Sequence, residues 1–470
     1  MAARTTVTPR PRLLFLAFQR RRSESCGGSL CIFDRTSHEL GEIKIILRTY
    51  IECPACESPI LLRVGLSRDR QIIVVACPDC HSTIRGSIIP SEEKMLPRFD
   101  LPGIKRLDHQ TPGKEWRVVN TYGDFPSSSK GEYSSFLSAS RVFGEKFPFY
   151  LRCVSLVRSF AEKVDPLEHA YGFYLQERWD LLDSMMMRNF KEDWPIEGSW
   201  PSNPSDLDRH THIHRILSLL AAAMDPGGHK QRAKYELWSR TFEKQEEFSE
   251  LSFRIISEPT FATVNRRISD QFFRMLRDAS EWIPALAISH LRANGGHIPG
   301  DWRVPLGRID SLRDAYRQNF EVSCQMLPLV IRIQNMSEGR DDATIRDPTL
   351  PDGWAPRALR PQDLVNNLNQ FTKSNAATKE AYLSRYSHLR YFWNAAFSRD
   401  VRNSIAHAEF DYITHESIVK YKGREVPYYV FIEALIKQIS LLIFWLDLCK
   451  LCKIYGSRWD PIGSKFLGLH

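Results

Sequence analysis

The pattern of hydrophobic and polar residues divides the chain into a strand-rich part and a longer helix-rich part. Within residues 43–95, β-branched residues occur in short runs separated by turn-forming residues, which is typical of strands. The strands predicted by these runs are Ile43–Tyr50, Ile60–Leu66, Gln71–Ala76 and Thr83–Ile89. The residues that follow, 96–145, are rich in Pro, Gly and Ser and predict an irregular linker.

Helical periodicity dominates from residue 146 onward. The helical middle region, residues 146–336, is followed by a polar, Pro-rich loop predicted at residues 337–361. Long helices are expected in the middle region at Glu168–Phe190, Asp206–Met224, Gln231–Ile256 and Asn265–His290.

Residues 362–470 predict a C-terminal helical bundle. Apolar residues recur there at steps of three and four within 382–396 and again within 431–449, which marks the buried faces of two helices. Between them, the Lys-Gly-Arg-Glu run at residues 422–425 predicts the turn of a small β-hairpin. The predicted fold class is therefore mainly α, with a small β domain preceding the helices and a β-hairpin within the C-terminal bundle.

The composition is that of a soluble globular protein. Of the 470 residues, 43% are hydrophobic and 26% are charged. No uncharged run approaches the ~20 residues that a membrane helix needs. We therefore expect a cytoplasmic protein with no membrane partner.

The positive charge is concentrated at the N-terminus. The net charge is +8, and residues 1–23 contain six arginines and no acidic residue. The rest of the chain is therefore nearly neutral, which is weak evidence for a nucleic-acid-binding body. Residues 1–42 are expected to form a basic, disordered tail, although an Arg-rich, acid-free start also fits a mitochondrial presequence.

Two Cys-Pro-x-Cys pairs carry the strongest chemical signal in the sequence: Cys53 with Cys56, and Cys77 with Cys80. A two-residue spacer lets one tight turn, called a knuckle, present two sulfurs, and Zn²⁺ prefers four tetrahedral thiolates. Residues 43–95 are therefore predicted to be a zinc ribbon with a structural Zn²⁺, because four thiolates leave no position open for catalysis. Iron in a site of four thiolates is the alternative.

The ribbon shows few features of a nucleic-acid reader. Residues 43–95 contain seven basic and six acidic residues, and Tyr50 is their only aromatic residue. A surface that tracks phosphates or stacks bases would contain more basic and aromatic residues. A structural or partner-sensing role is favoured over nucleic-acid binding.

An Arg followed five positions later by a His is a second candidate for chemistry. Such pairs occur at residues 209/214, 292/297 and 402/407. Arg292 leads into a glycine-rich loop and is set aside, whereas Arg209 with His214 remains a minor candidate. The best context is that of Arg402, which begins the run Arg-Asn-Ser-Ile-Ala-His.

Three alternating histidines, His210, His212 and His214, invite a metal-binding interpretation. On a helix only the first and third share a face, so a single good ligand pair results. Surface histidines are therefore the favoured interpretation.

The segment around Arg402, Asn403 and His407 resembles the HEPN superfamily (higher eukaryotes and prokaryotes nucleotide-binding). The mark of that family is an Arg separated from a His by four to six residues, often with a polar residue after the Arg, in an all-helical bundle. The resemblance covers roughly residues 360–470 well and residues 230–340 loosely. It makes residues 362–470 a HEPN-like helical bundle.

The resemblance implies a metal-independent endoribonuclease that builds composite sites across a homodimer. It is a likeness to toxins and abortive-infection effectors of prokaryotic antiviral defence. RNA is then the substrate, a regulatory or trigger protein is a further partner, and the zinc ribbon serves regulation or recognition. Arg402, Asn403 and His407 are the catalytic residues that it implies.

The chemistry of these residues fits cleavage of RNA by its own 2′-hydroxyl. His407 can act as an acid or base near neutral pH, and Arg402 offers a planar, bidentate donor to a phosphate. Asn403 would orient His407 or contact the phosphate. Because positions five apart lie about 140° from each other on a regular helix, Arg402 and His407 converge only in a distorted turn or across two copies.

A non-catalytic function is the alternative. In that hypothesis Arg402, Asn403 and His407 brace a helix junction, and the bundle is a dimerisation or nucleotide-binding module. The ribbon would then dock a partner protein or DNA.

Overall fold

The structure is a computed structural model, and it describes residues 46–65, 71–89, 98–108, 115–128, 135–190, 200–304, 308–345, 364–383, 386–413 and 417–459. The predicted basic tail, residues 1–42, lies outside these residues, as does the predicted loop beyond residue 345. The described part is mainly α with small β parts, so the predicted fold class is confirmed.

The N-terminal strands form two small sheets. Their members are β1 Ile46–Glu52, β2 Pro59–Gly65, β3 Gln71–Ala76, β4 Thr83–Ile89, β5 Arg98–Asp100, β6 Arg117–Tyr122, β7 Phe125–Ser128 and β8 Trp302–Arg303. One sheet has the order β1-β2-β6-β7-β8 and the other β3-β4-β5. The four predicted strands are therefore present, and β3 and β4 have the predicted bounds.

The two sheets pack on each other through a small apolar core. This core includes Ile60 and Leu62 of β2, Ile73 and Val75 of β3, and Ile84 of β4. β2 pairs with β1, and β3 pairs with β4, so the two strands that lie between the cysteine pairs belong to different hairpins.

The segment expected to be an irregular linker, residues 96–145, contains β5, β6, β7 and the helix α1, Ser135–Phe143. β6 runs parallel to β2, with Ile60 opposite Arg117. Gly65 permits this pairing, since a Cβ there would lie 1.9 Å from the ring of Tyr122. A parallel partner far along the chain leaves no local sequence signal, which explains the difference from the prediction.

The helices account for most of the chain. After α1 they are α2 Phe147–Glu162, α3 Val164–Leu175, α4 Trp179–Asn189, α5 Asp206–Met224, α6 His229–Phe242, α7 Gln245–Ile256, α8 Pro259–Arg277, α9 Ala279–Ala293, α10 Ile309–Cys324, α11 Leu327–Ser337, α12 Leu368–Lys373, α13 Ala376–Tyr382, α14 Ser387–Ala396, α15 Arg399–Ala406 and α16 Tyr428–Gly456. α5 has the predicted bounds. The other three long predicted helices are each divided in two; Glu177, with φ 57°, lies at one of these breaks, between α3 and α4.

The last helix, α16, is the centre of the core. It contacts α5, α7, α8, α9 and α14, and most of its side chains are buried. Among the described residues it is the one helix long and apolar enough to cross a membrane, and 72% of its most apolar window is buried inside the protein. Such burial is typical of the core helix of a soluble protein.

A third small sheet precedes α16. Its strands are β9 Phe410–Ile413, β10 Ile418–Tyr421 and β11 Arg424–Pro427, in the order β11-β10-β9. Lys422 and Gly423 have positive φ angles of 46° and 70°, as the tight turn between two antiparallel strands requires. The predicted hairpin is confirmed, and β9 adds a third strand to it.

Candidate functional site

The two cysteine pairs lie in turns of the same shape. In the first, between β1 and β2, the Cys53 N–H donates to the Ser58 carbonyl (3.0 Å) and the Glu57 N–H donates to the Cys53 carbonyl (3.0 Å). The turn between β3 and β4 repeats both hydrogen bonds from Cys77, each at 2.9 Å. Each knuckle is thus the turn of its own hairpin, and a Cys-Pro-x-Cys-x-Ser repeat encodes both.

The four sulfurs have the spacing of a metal site. Sγ of Cys53 lies 3.6 Å from Sγ of Cys80, and Sγ of Cys56 lies 3.7 Å from Sγ of Cys77. All four lie within 4.8 Å of one another. A tetrahedron with metal–sulfur bonds of about 2.3 Å has sulfurs about 3.8 Å apart, whereas a disulfide joins them at about 2.05 Å. The cluster could therefore hold a metal ion.

Serine hydrogen bonds favour ionisation on one side of this cluster. The hydroxyl of Ser82 lies 3.1 Å from the sulfurs of both Cys53 and Cys80. Hydrogen bonds from the Ser82 hydroxyl and N–H lower the pKa of Cys80 to about 6. Burial raises the pKa of Cys77 to about 12, so a bound cation would supply the charge that ionises this thiol.

The second knuckle is tied to the longer sheet. Arg117, at the start of β6, donates from Nε to Oδ1 of Asp79 at 3.0 Å, and Asp79 lies between Cys77 and Cys80. The ring of Trp116 meets the ring of Tyr50 edge-on, with centroids 4.8 Å apart. The cluster therefore joins the two sheets of the N-terminal part.

The Arg–His motif occupies a short helix, α15. Its N-cap residue is Ser398, whose hydroxyl accepts a hydrogen bond from the Val401 N–H, and its C-cap residue is His407. The next residue, Ala408, has φ 57°, and the Glu409 N–H closes the helix end by donating to the Ser404 carbonyl at 2.7 Å. This left-handed cap places His407 at the exposed end of α15, just ahead of β9.

Arg402 and Asn403 lie together, beside an acidic residue of α10. Arg402 forms an ion pair with Glu321 and donates from Nη1 to Oδ1 of Asn403 at 3.2 Å. Its guanidinium lies 5.7 Å from the ring centroid of Phe320. Glu321 was not among the site residues that sequence reasoning selected, since nothing near the motif points to a partner 81 positions away.

Within one chain, α15 does not bring Arg402 and His407 together. The Arg402 N–H bonds to the Ser398 carbonyl (3.0 Å) and the His407 N–H to the Asn403 carbonyl (2.9 Å), so the helix is regular across the motif. Side chains five positions apart then point about 140° away from each other. The distorted turn considered from the sequence is absent, which leaves a second copy as the way to join the two side chains.

The minor candidate pair, Arg209 and His214, is not assembled into a site. Arg209 binds Asp183 through Nε and Nη2, with a shortest distance of 2.7 Å. His214 is buried and bonds through Nδ1 to Oδ1 of Asp447 at 3.0 Å. Each side chain has a different acidic partner, so both act as structural groups.

The expectation of surface histidines on α5 is wrong for two of the three. His210 and His214 are buried, because they lie on the face of α5 that packs into the core with Ile213 and Leu217. His210 contacts the hydroxyl of Tyr174 at 2.8 Å. Burial lowers the pKa of His210 to about 4 and that of His214 to about 3, so both rings are neutral at physiological pH.

Comparison of the chain with models of protein families, with curated proteins and with solved structures finds no match. Two clusters of side chains in the described residues therefore provide the evidence on function. One is a set of four thiolates with the spacing of a metal site, and the other is an Arg–Asn pair with an exposed histidine at the end of the same helix.

Proposed function

We propose that the protein is a metal-independent endoribonuclease of the HEPN type that works as a homodimer in the cytoplasm, as a toxin or anti-phage defence effector. The observation that supports this best is the arrangement on α15. Arg402 and Asn403 lie side by side and partly exposed, and His407 is exposed at the end of the same helix. These are the residue types that phosphodiester cleavage requires, in a place that RNA can reach.

The reaction divides between the three side chains. The 2′-oxygen attacks the adjacent phosphorus, the bond from phosphorus to the 5′-oxygen breaks, and the products end in a 2′,3′-cyclic phosphate and a 5′-hydroxyl. His407 takes the proton of the 2′-hydroxyl and passes it, through water, to the leaving 5′-oxygen. Arg402 and Asn403 hold the phosphate oxygens as negative charge develops on them.

In this proposal a second copy of the chain completes the site. Because the regular helix separates Arg402 from His407 around its axis, we infer that each site takes Arg402 from one copy and His407 from the other. Mixing Arg402→Ala chains with His407→Ala chains tests this directly. Half of a random mixture is heterodimer with one intact site of two, so about a quarter of wild-type activity should return. If both residues acted within one chain, the mixture would stay inactive.

We propose Zn²⁺ as the metal of the four-cysteine cluster, with a structural role. Two of the sulfur–sulfur distances, 3.6 and 3.7 Å, match the tetrahedron that Zn²⁺ forms with thiolates, and all four sulfurs lie within 4.8 Å of one another. The protein should be colourless with one equivalent of zinc per chain, whereas iron bound to four thiolates would give it a red colour.

A second candidate function is a non-catalytic module that dimerises or binds nucleotides, with a ribbon that docks a partner or DNA. The ion pair of Arg402 with Glu321 favours it, because an arginine neutralised by a carboxylate braces α15 against α10.

Cleavage of end-labelled RNA in EDTA separates the two functions. Wild type, His407→Ala and the control His169→Ala, an exposed histidine of α3, are compared after folding, dimerisation and metal content are checked. If the protein is a nuclease, wild type and His169→Ala should cut the RNA, and the cleavage rate of His407→Ala should be at least 100-fold lower. Equal cutting by all three proteins would refute the role of His407, and cutting by none would favour the non-catalytic module.

A further inference from the structure

Three lysines surround one buried carboxylate in the middle of the helical region. Asp447 of α16 is 1% exposed, and Nζ of Lys230 lies 2.7 Å from its Oδ2. Lys234, one turn further along α6, lies 3.8 Å from the same oxygen, and Lys450 of α16 lies 4.0 Å from Oδ1. We call Lys230, Lys234, Lys450 and Asp447 the lysine cluster.

The charges of the lysine cluster do not balance. Lys230 and the His214 ring already occupy the two oxygens of Asp447, and His214 is neutral. Asp225, the nearby acidic residue of the α5–α6 turn, is itself engaged by Lys437 (2.9 Å). The side chains of Lys234 and Lys450 are thus mostly buried, and the carboxylate of Asp447 lies 3.8 Å and 4.0 Å from their ammonium groups.

Neighbouring groups respond to this excess positive charge. After burial, the charge of Lys450 is the largest contribution that lowers the pKa of His214. Burial lowers the pKa of Lys234 to about 8 even though Asp447 opposes the shift. An additional anion would offset the cost of keeping these cations out of water.

Two buried polar atoms beside the cluster also lack a partner among the described residues. They are Nε2 of His214, which is an acceptor because Nδ1–H of the neutral ring donates to Asp447, and the hydroxyl of Tyr171; the centroids of the two rings lie 6.3 Å apart. Buried polar groups are nearly always hydrogen-bonded, so an unpaired phenol is a donor available to a bound group or to water. Tyr171 is 1% exposed.

The cluster is also within reach of solvent. The side chains of Lys234 and Lys450 are 18% and 14% exposed, so solvent reaches a small part of each. Nζ of Lys234 lies 3.8 Å from the ring centroid of Trp238, which holds this side chain in place without neutralising it.

We propose that the lysine cluster binds a doubly charged tetrahedral oxyanion, a phosphate or a phosphate monoester, between Lys234 and Lys450. A compact dianion supplies the charge that Asp447 leaves unmatched, and lysine ammonium groups bind phosphate as point charges. This site is independent of the proposed ribonuclease site on α15.

Calorimetric titration of the full-length protein with inorganic phosphate at pH 7 tests the proposal, with adenosine 5′-monophosphate as a second probe and chloride as the control anion. One saturable site per chain is expected for phosphate and none for chloride. Tighter binding of adenosine 5′-monophosphate would identify a phosphate monoester as the source, and equal or weaker binding would identify free phosphate. Absence of saturable binding by both phosphates would overturn the proposal.

Two lysine variants locate the site. Lys234→Met and Lys450→Met keep the apolar stems and should each weaken phosphate binding at least 10-fold. Arg232→Met removes a positive charge from the exposed face of α6 and should change binding less than twofold. Equal weakening by all three variants would show a general charge effect and refute a built site.

A measurement on wild type covers the case in which these variants fail to fold. Acetylation of individual lysines, followed by mass spectrometry, should be slowed several-fold by saturating phosphate at Lys234 and Lys450. The exposed Lys373 of α12 should react at the same rate with and without phosphate. Unchanged acetylation at all three positions would contradict the proposed site.

Discussion

Replacing Asp447 with Asn should be among the most destabilising single changes in this protein. The substitution keeps the volume of the side chain and removes its charge. Lys230, whose side chain is 8% exposed, would lose its partner at 2.7 Å and be left as a buried, unpaired ammonium. Breaking a buried ion pair by removing one partner costs about 3–5 kcal/mol in the free energy of unfolding.

The expected loss is at the lower end of that range, because Lys234 and Lys450 are partly exposed and can turn toward water. Calorimetry would measure the loss as a fall in Tm of roughly 3 °C. Asp310→Asn is the matched control. It removes the same charge from an ion pair of similar length, 2.8 Å to Arg313, but its side chain is 84% exposed. Surface pairs contribute little, so Tm should not change measurably.

A second substitution shows whether the unpaired charge is the cause. Lys230→Met in the Asp447→Asn background removes both charges of the pair and should recover most of the lost stability. Two results would contradict this expectation: Asp447→Asn is as stable as wild type, or Lys230→Met lowers the stability of Asp447→Asn further. In either case an uncompensated buried cation would not be the cause of the lost stability. Asp447 would then not be the group that compensates the charge of the lysine cluster.

The metal, the Arg–His site and the buried histidines each provide a further test. Removing the metal with a chelator should release one equivalent per chain and speed hydrogen exchange in β1–β4 but leave α16 protected, as mass spectrometry would show. Glu321→Gln should free Arg402 and raise RNA affinity several-fold in fluorescence anisotropy; unchanged affinity would mean that the pair does not hold Arg402 back. Burial lowers the pKa values of His210 and His290 to about 4 and that of His214 to about 3. Below pH ~6.5 the unfolded chain therefore takes up protons that the folded protein does not, and stability should fall as pH drops toward 4, by up to about 1.4 kcal/mol per pH unit for each histidine. A stability that rises on acidification would contradict this, and urea unfolding between pH 4.5 and 7.5 decides it.

Local signals in the sequence were sufficient for the local parts of the fold. β3, β4 and α5 have their predicted bounds, since runs of β-branched residues, turn residues and helical periodicity act over a few positions. The turn at Lys422-Gly423 is of the same kind, because a hairpin with two residues of positive φ is encoded within the turn itself. The knuckle cysteines could be found for the same reason.

Contacts between distant parts of the chain could not be predicted in this way. β2 and β6 pair in parallel although more than 50 residues separate them, and no periodicity within either strand predicts this pairing. Glu321 lies 81 positions before Arg402, so no residue spacing within the motif indicates the ion pair between them. Asp447 gave a partial signal, because a charged residue within an apolar helix predicts a buried partner. The sequence does not indicate that this partner is Lys230.

The five-stranded sheet, which includes β8 of the helical region, affects how the role of the ribbon can be tested. β7 pairs with β8 of the helical region, the hydroxyl of Tyr150 in α2 donates to the Asp124 carbonyl at 3.0 Å, and Arg158 of α2 binds Asp124 at 2.6 Å. Deleting residues 1–145 would strip these partners from α2 and β8, and a loss of activity would then report a damaged helical region. Replacing Cys77 with Ser removes one metal ligand without deleting any strand. If the ribbon restrains or triggers the nuclease, this variant should change the rate of RNA cleavage while the helical core keeps its stability.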